Sequence, residues 1–236
     1  MSTQAPNQTP KQALIVAHGQ PSEPEPPELR LATLASDVQA RLTGWEVTSA
    51  TIAMPNALED AVAKLHPGAL IYPMFMSDGW FVSKVLPRRL GDAPVTVLPP
   101  LGFDPDLPAL AARVLTEELQ RHRWGFQQTD IVLAAHGSGR GDRAAKAANT
   151  FAEALKPFIA KANLTVGFIE EAPFVKDAAT GLRAQSLCQP FFALEGDHCR
   201  TDIPEALEAA DFQGKLLRPL GEQDAVIDLI ARALTR

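Results

Sequence analysis

Two stretches of the chain set titratable side chains where chemistry is feasible. His136 lies in AAHGSGRGD, Ala134–Asp142. His198 lies in FFALEGDHCRTDIPEAL, Phe191–Leu207, beside Glu195, Asp197 and Cys199. Two neutral imidazoles can hold a divalent cobalt, iron or nickel ion and leave coordination positions open. They can also exchange protons near neutral pH. No Cys/His spacing matches a closed four-ligand zinc site. Glu170 and Glu171, in GFIEEAPF, offer a carboxylate to the same centre, although a solvated loop position explains them equally well. Gly137, Gly139 and Gly141 make a permissive loop, in which Ser138 and backbone N–H groups could receive an anion. The loop lacks the Lys-Ser/Thr of a Walker motif and the Ser-centred nucleophile elbow. The plain alternative for His136 is a hydrogen-bonded loop histidine. For Cys199 it is a small packing residue at a helix start.

Whether the two histidines meet depends on the elements that carry them. The chain repeats itself. ALIVAHGQ, Ala13–Gln20, resembles IVLAAHGS, Ile131–Ser138, and His18 matches His136 at an offset of 118. Tyr72–Leu90 resembles Gln189–Leu207 at an offset of 117, which aligns Pro73 with Pro190, Gly79 with Gly196 and Pro87 with Pro204. Pro55–Leu65 resembles Pro173–Leu182 between them. Such ordered matches indicate a duplication. Each half alternates short apolar strands with amphipathic helices, which implies α/β architecture with parallel sheets covered on both faces. Residues 1–12 read as a disordered tail, 13–124 as the first half and 130–236 as the second. Helices are expected over Phe81–Leu90, Arg143–Ala162 and Ile203–Ala210, with Thr201 or Asp202 capping the last and Pro204 in its first turn. Ligands of open parallel α/β sheets bind beyond the carboxyl ends of the strands. His136 and His198 both follow a strand and therefore share an edge.

Around them lie Arg140, Arg143, Lys146 and Arg200, with Lys84, Arg88 and Arg89 in the matching region of the first half. Arginines can hold substrate carboxylates in bidentate fashion. Solvated helix faces are the common alternative. His66 and His122 read as surface residues near helix ends. Trp45, Trp80 and Trp124 read as packing residues, with Trp80 on the ligand edge of the first half.

The 236 residues carry a net charge of −6, which argues against a general nucleic-acid binder. Two cysteines are too few for a disulfide scaffold and fit a reduced, cytoplasmic setting. The first residues, MSTQAPNQTPKQ, show no signal-peptide pattern, and no apolar run is long enough to span a membrane. One chain supplies both halves of a cleft, so a monomer is the expectation, with a homo-oligomer left open.

AAHGSGRGD together with PFFALEGDHCRTDIPEAL resembles the sirohydrochlorin chelatase family of class II chelatases, in its long, two-repeat form. The resemblance runs from Ala13 to the C-terminus, and the second motif is the more specific. It implies two tandem chelatase-like halves, each a flavodoxin-type three-layer α/β unit, with a cleft between them. It implies ATP-independent insertion of Co²⁺ foremost, or Fe²⁺, into sirohydrochlorin or a related tetrapyrrole, for cobalamin or sirohaem. No cofactor is expected, because the metal is a substrate. The family's paired histidines fall on His136 and His198, which would receive the metal and help remove the pyrrole protons. Ser138, Arg140, Arg143, Arg200 and His18 are the candidate substrate contacts, and Glu170 and Glu171 the further candidate metal ligands. Departures are visible: Phe81 stands at the position matching His198, and HGS has become His18-Gly19-Gln20. The first half should therefore form the opposite wall rather than a second paired-histidine site. A non-catalytic tetrapyrrole or metal carrier is the alternative.

Overall fold

A computed structural model describes residues 9–139, 141–159 and 161–236. The first half contains β1 (Lys11–Ala17), α1 (Glu25–Gln39), β2 (Trp45–Thr51), α2 (Ala57–Val62), β3 (Leu70–Pro73), α3 (Leu86–Leu90), β4 (Thr96–Val97) and α4 (Leu107–His122). The second repeats the order as β5 (Asp130–Ala135), α5 (Arg143–Leu155), β6 (Asn163–Phe168), α6 (Val175–Ala179), β7 (Ser186–Pro190), α7 (Ile203–Ala209), β8 (Lys215–Leu216) and α8 (Ala225–Thr235). The sheets are all-parallel, ordered β2-β1-β3-β4 and β6-β5-β7-β8. In each, the winding direction reverses between the two central strands. That reversal opens a crevice at the carboxyl edge.

Strand periodicity explains the uninterrupted apolar runs. Successive side chains point to opposite faces, and here both faces are covered. Ala13, Ile15 and Ala17 of β1, with Ile131, Leu133 and Ala135 of β5, join one core shared by both halves. Residues of α1, α4, α5 and α8 fill that core, so these four helices pack between the two sheets. Leu14 and Val16 point the other way, onto Leu58 of α2 and Leu86 and Leu90 of α3. Val132 and Ala134 do the same onto Val175 of α6 and Ile203 of α7. Arg41–Asp228 (2.9 Å) and Arg236–Asp104 (3.3 Å) tie the halves at the surface. Arg41–Asp228 is exposed on both sides and contributes at most about 1 kcal/mol, whereas Asp104 is buried under Arg236.

Three local expectations are corrected. Lys11 and Gln12 belong to β1 and not to the tail: the Gln12 amide donates to Glu46 (2.7 Å) and accepts from the His66 backbone N–H (2.6 Å). The helix expected over Arg143–Ala162 ends at Leu155 and gives way to a 3-10 turn, Lys156–Ile159. Lys156 keeps helical dihedrals, but Pro157 has no N–H to continue the i→i−4 ladder. The helix expected from Phe81 begins as a π-turn, Phe81–Val85, and its counterpart begins the same way at His198.

Asp130 shows how the second half is pinned at its start. Its buried carboxylate receives the Arg183 backbone N–H (2.9 Å), Nε (2.9 Å) and Nη2 (2.6 Å). The Arg183 side chain, and lesser hydrogen bonds with it, hold this carboxyl down at about 2 against an ordinary 3.8. A lowered folded-state value means stability present above pH 3.8 and lost as pH falls through about 2. Asp130→Asn is expected to cost about 1–3 kcal/mol at pH 7, toward the lower end because Arg183 is exposed. Thermal melts of both proteins across pH check this: the gap should be widest near neutrality and close as the pH falls toward 2.

Candidate metal centre

β5 is buried along its whole length and ends at Ala135, so His136 is the first residue to emerge at the carboxyl edge. The chain must turn immediately. Gly137 does this with φ +70, and a Cβ there would sit 2.9 Å from both Phe168 Cβ and Glu171 Oε1. Only glycine suits both the dihedral and the space. The His136 Nδ1 lies 2.8 Å from the Gly137 carbonyl oxygen. A carbonyl only accepts, so Nδ1 carries the proton and Nε2 keeps a lone pair for a metal.

His198 reaches the same place from β7. It opens the π-turn His198–Asp202, which runs directly into α7. Such turns occur frequently at functional sites. Its Nδ1 is 2.5 Å from Asp202 Oδ2. The carboxylate fixes the ring's orientation and again leaves Nε2 as the ligand atom. The two imidazoles stand edge to face, with centroids 4.7 Å apart and planes at 88°. Phe192 flanks both, at 6.5 and 6.1 Å.

Glu170 lies two residues past the end of β6, where its backbone N–H donates to the His136 carbonyl (3.0 Å). Ligand atoms of His136, Glu170 and His198 all lie within 4.8 Å of one another. Donors bound to one ion at about 2.1 Å lie roughly 3.4 Å apart in a tetrahedral set. Glu170 and His136 are exposed and His198 half-buried, so modest side-chain rotation can close the group. Two imidazoles and one carboxylate suit a transition-metal dication.

The other candidates separate. Glu171 is corrected: it is not in the three-residue group, and its Oε1 instead accepts the Ser138 backbone N–H (2.7 Å), clamping the loop. Cys199 is buried, and burial pushes its thiol up to about 12, which keeps it protonated and favours the packing role. Arg143 Nη1 donates across the cleft to the Asp78 carbonyl (3.0 Å). Arg200 pairs with Asp197 (3.2 Å). Arg140 lies outside the described residues. Arg89 is committed to Glu59 and to the Ile52 carbonyl (2.7 Å). The residue that sequence reasoning missed is Asp202. It was expected as a cap, yet it makes no capping hydrogen bond and holds His198 instead. Its i,i+4 spacing from His198 was the available signal.

The first half keeps the scaffold without the ligands. His18 Nδ1 lies 2.7 Å from the Gly19 carbonyl, and Gly19 has φ +76. The Ala53 N–H donates to the His18 carbonyl (2.9 Å), as Glu170 does to His136. Phe81 lies edge-on to His18, with centroids 4.1 Å apart, where His198 faces His136. His18, Ala53 and Phe81 thus stand for His136, Glu170 and His198. The double substitution Ala53→Glu with Phe81→His is expected to raise Co²⁺ bound per chain from one to two in a calorimetric titration. A stoichiometry fixed at one would contradict the equivalence.

Two parallel α/β halves, each with a switch-point crevice at its carboxyl edge, are the architecture that this chain shares with a chelatase of known structure. The chain belongs to the CbiX family. The CbiX family model matches residues 130–236. Over 95% of this chain and 98% of the other, it is 41% identical, with a TM-score of 0.86, to CbiX, the terminal enzyme for biosynthesis of siroheme in denitrifying bacteria. Two more distant structures share the fold. One is DR2241 from Deinococcus radiodurans, a multi-domain protein with structural similarity to chelatases (19% identity, TM-score 0.74, 95% of this chain and 54% of that one). The other is SirB from Bacillus subtilis with Fe³⁺ (14% identity, TM-score 0.70, 95% and 94%). No curated protein sequence matches the chain. Among the described residues, no helix is long and apolar enough to cross a membrane.

Proposed function

We propose that the chain inserts a divalent metal into sirohydrochlorin without ATP, with His136, Glu170 and His198 delivering the ion. The observation that carries this reading is the convergence of their donor atoms within 4.8 Å at the carboxyl edge. The 41% identity to a terminal enzyme of siroheme biosynthesis supports the substrate and favours Fe²⁺ over the Co²⁺ first expected. The donor set itself accepts either ion.

The chemistry is an exchange. The dication enters the macrocycle, and two pyrrole N–H protons leave. Two neutral imidazoles and one carboxylate hold the ion without closing its coordination shell, so positions remain for pyrrole nitrogens. As each protein ligand lets go of the metal, its lone pair becomes available to a departing proton. His136 and His198 keep their orientation through this step because Gly137 and Asp202 hold their Nδ1 atoms. Positioning and transition-state complementarity, rather than a chemical cofactor, supply the acceleration. Ser138, Arg143, Arg200 and His18 contact the macrocycle periphery in this reading.

Anaerobic absorbance spectroscopy of sirohydrochlorin with Fe²⁺, Co²⁺ or Ni²⁺ tests the proposal. Metallation faster than the protein-free rate for at least one ion is expected. Pigment binding with no acceleration by any of the three would make the protein a carrier.

A further inference from the structure

The metal centre stands at the carboxyl edge of the second half; the matching edge of the first half meets it through Gln20–Asp197 and Arg143–Asp78. There the repeat has exchanged polar residues for aromatic ones. Phe81 stands where the second half has His198, and Trp80 where it has Asp197. Trp80 is 65% exposed, whereas Trp45 and Trp124 are half-buried. Its ring packs edge-on against Phe81, with centroids 5.2 Å apart and planes at 75°, and Phe81 packs in turn on His18.

Contacts on both sides bring this row to the metal side. Gln20, two residues past His18, hydrogen-bonds Asp197, the residue before His198. Asp78, two residues before Trp80, receives Arg143 from the start of α5, the helix that follows the His136 loop. The aromatic row therefore lies between these two contacts, and Trp80 is its exposed end. Phe81 and Trp80 offer π faces and no strong metal donor, so they can grip a macrocycle without competing for the ion.

We infer, on the sirohydrochlorin reading above, that Trp80 is the surface against which the tetrapyrrole face rests while its nitrogens turn toward His136 and His198. Phe81 backs the indole and fixes its tilt. An aromatic stack of this kind offers affinity by offset or edge contact and tolerates a ruffled ring.

The test compares the wild type with Trp80→Ala and Trp80→Phe, using metal-free sirohydrochlorin as the probe. Removing a stacking aromatic weakens binding of a flat π system by about tenfold or more. Trp80→Ala is expected to raise the pigment Kd and KM by that factor, with a smaller change in kcat. Trp80→Phe should recover most of the loss. Co²⁺ affinity measured without pigment should stay at the wild-type value in both, which separates a lost platform from a disturbed centre. Wild-type pigment affinity in Trp80→Ala overturns the platform and leaves the chelatase reading standing. A wild type that neither binds nor metallates sirohydrochlorin overturns both.

Discussion

His136→Ala and His198→Ala should each abolish accelerated metallation, with a rate loss exceeding about 100-fold. Outer-shell partners of a metal site are commonly worth about 10–100-fold in affinity or activity, and a direct ligand carries more. Either substitution leaves one imidazole and Glu170, two donors for an ion that needs delivery rather than casual contact. The exposed and half-buried positions of the rings mean that folding is spared. Pigment binding should persist in both variants, because the facing wall and the periphery are untouched. Stopped-flow absorbance with matched circular dichroism checks this, and a variant that retains acceleration would remove its histidine from the centre.

Asp202→Ala should be the next largest effect, about 10–100-fold in metal affinity. The carboxylate does not join the ion. It holds the His198 Nδ1–H across one π-turn, which aims Nε2 at the site and sets the tautomer. Without it the ring rotates and both tautomers become available, so a fraction of His198 presents a proton where a lone pair is needed. Asp202→Asn retains an acceptor oxygen and should fall between wild type and Ala. Competition against a chelating dye gives the affinities. Equal Co²⁺ affinity in all three proteins would assign Asp202 to the helix start alone.

The fold was legible because its signals are redundant. Both faces of β1 and β5 are covered, so their apolar runs read as buried parallel strands even without the repeat. The repeat then placed His136 and His198 on one edge. What escaped was local. Glu170 and Glu171 are adjacent in sequence but part company at the end of β6, one toward the histidines and one onto the Ser138 amide. No periodicity distinguishes them, because strand alternation ends there. The helix start at His198 was hidden for another reason. Asp202 and Pro204 do mark the start of α7, at its N-cap position and in its first turn, while the preceding π-turn has no compositional mark. Gln12 was lost to the tail because its strand role depends on Glu46 and His66, far away in sequence.

The central claim is that the inserted ion comes from His136, Glu170 and His198. A single-turnover experiment addresses it most directly. Protein charged with one equivalent of Co²⁺, freed of excess metal and mixed anaerobically with sirohydrochlorin, should yield one equivalent of metallated product faster than the same Co²⁺ in buffer. The His198→Ala protein treated identically should show no such transfer. Pre-bound Co²⁺ that stays on the wild-type protein, or enters the pigment no faster than free ion, would contradict the account.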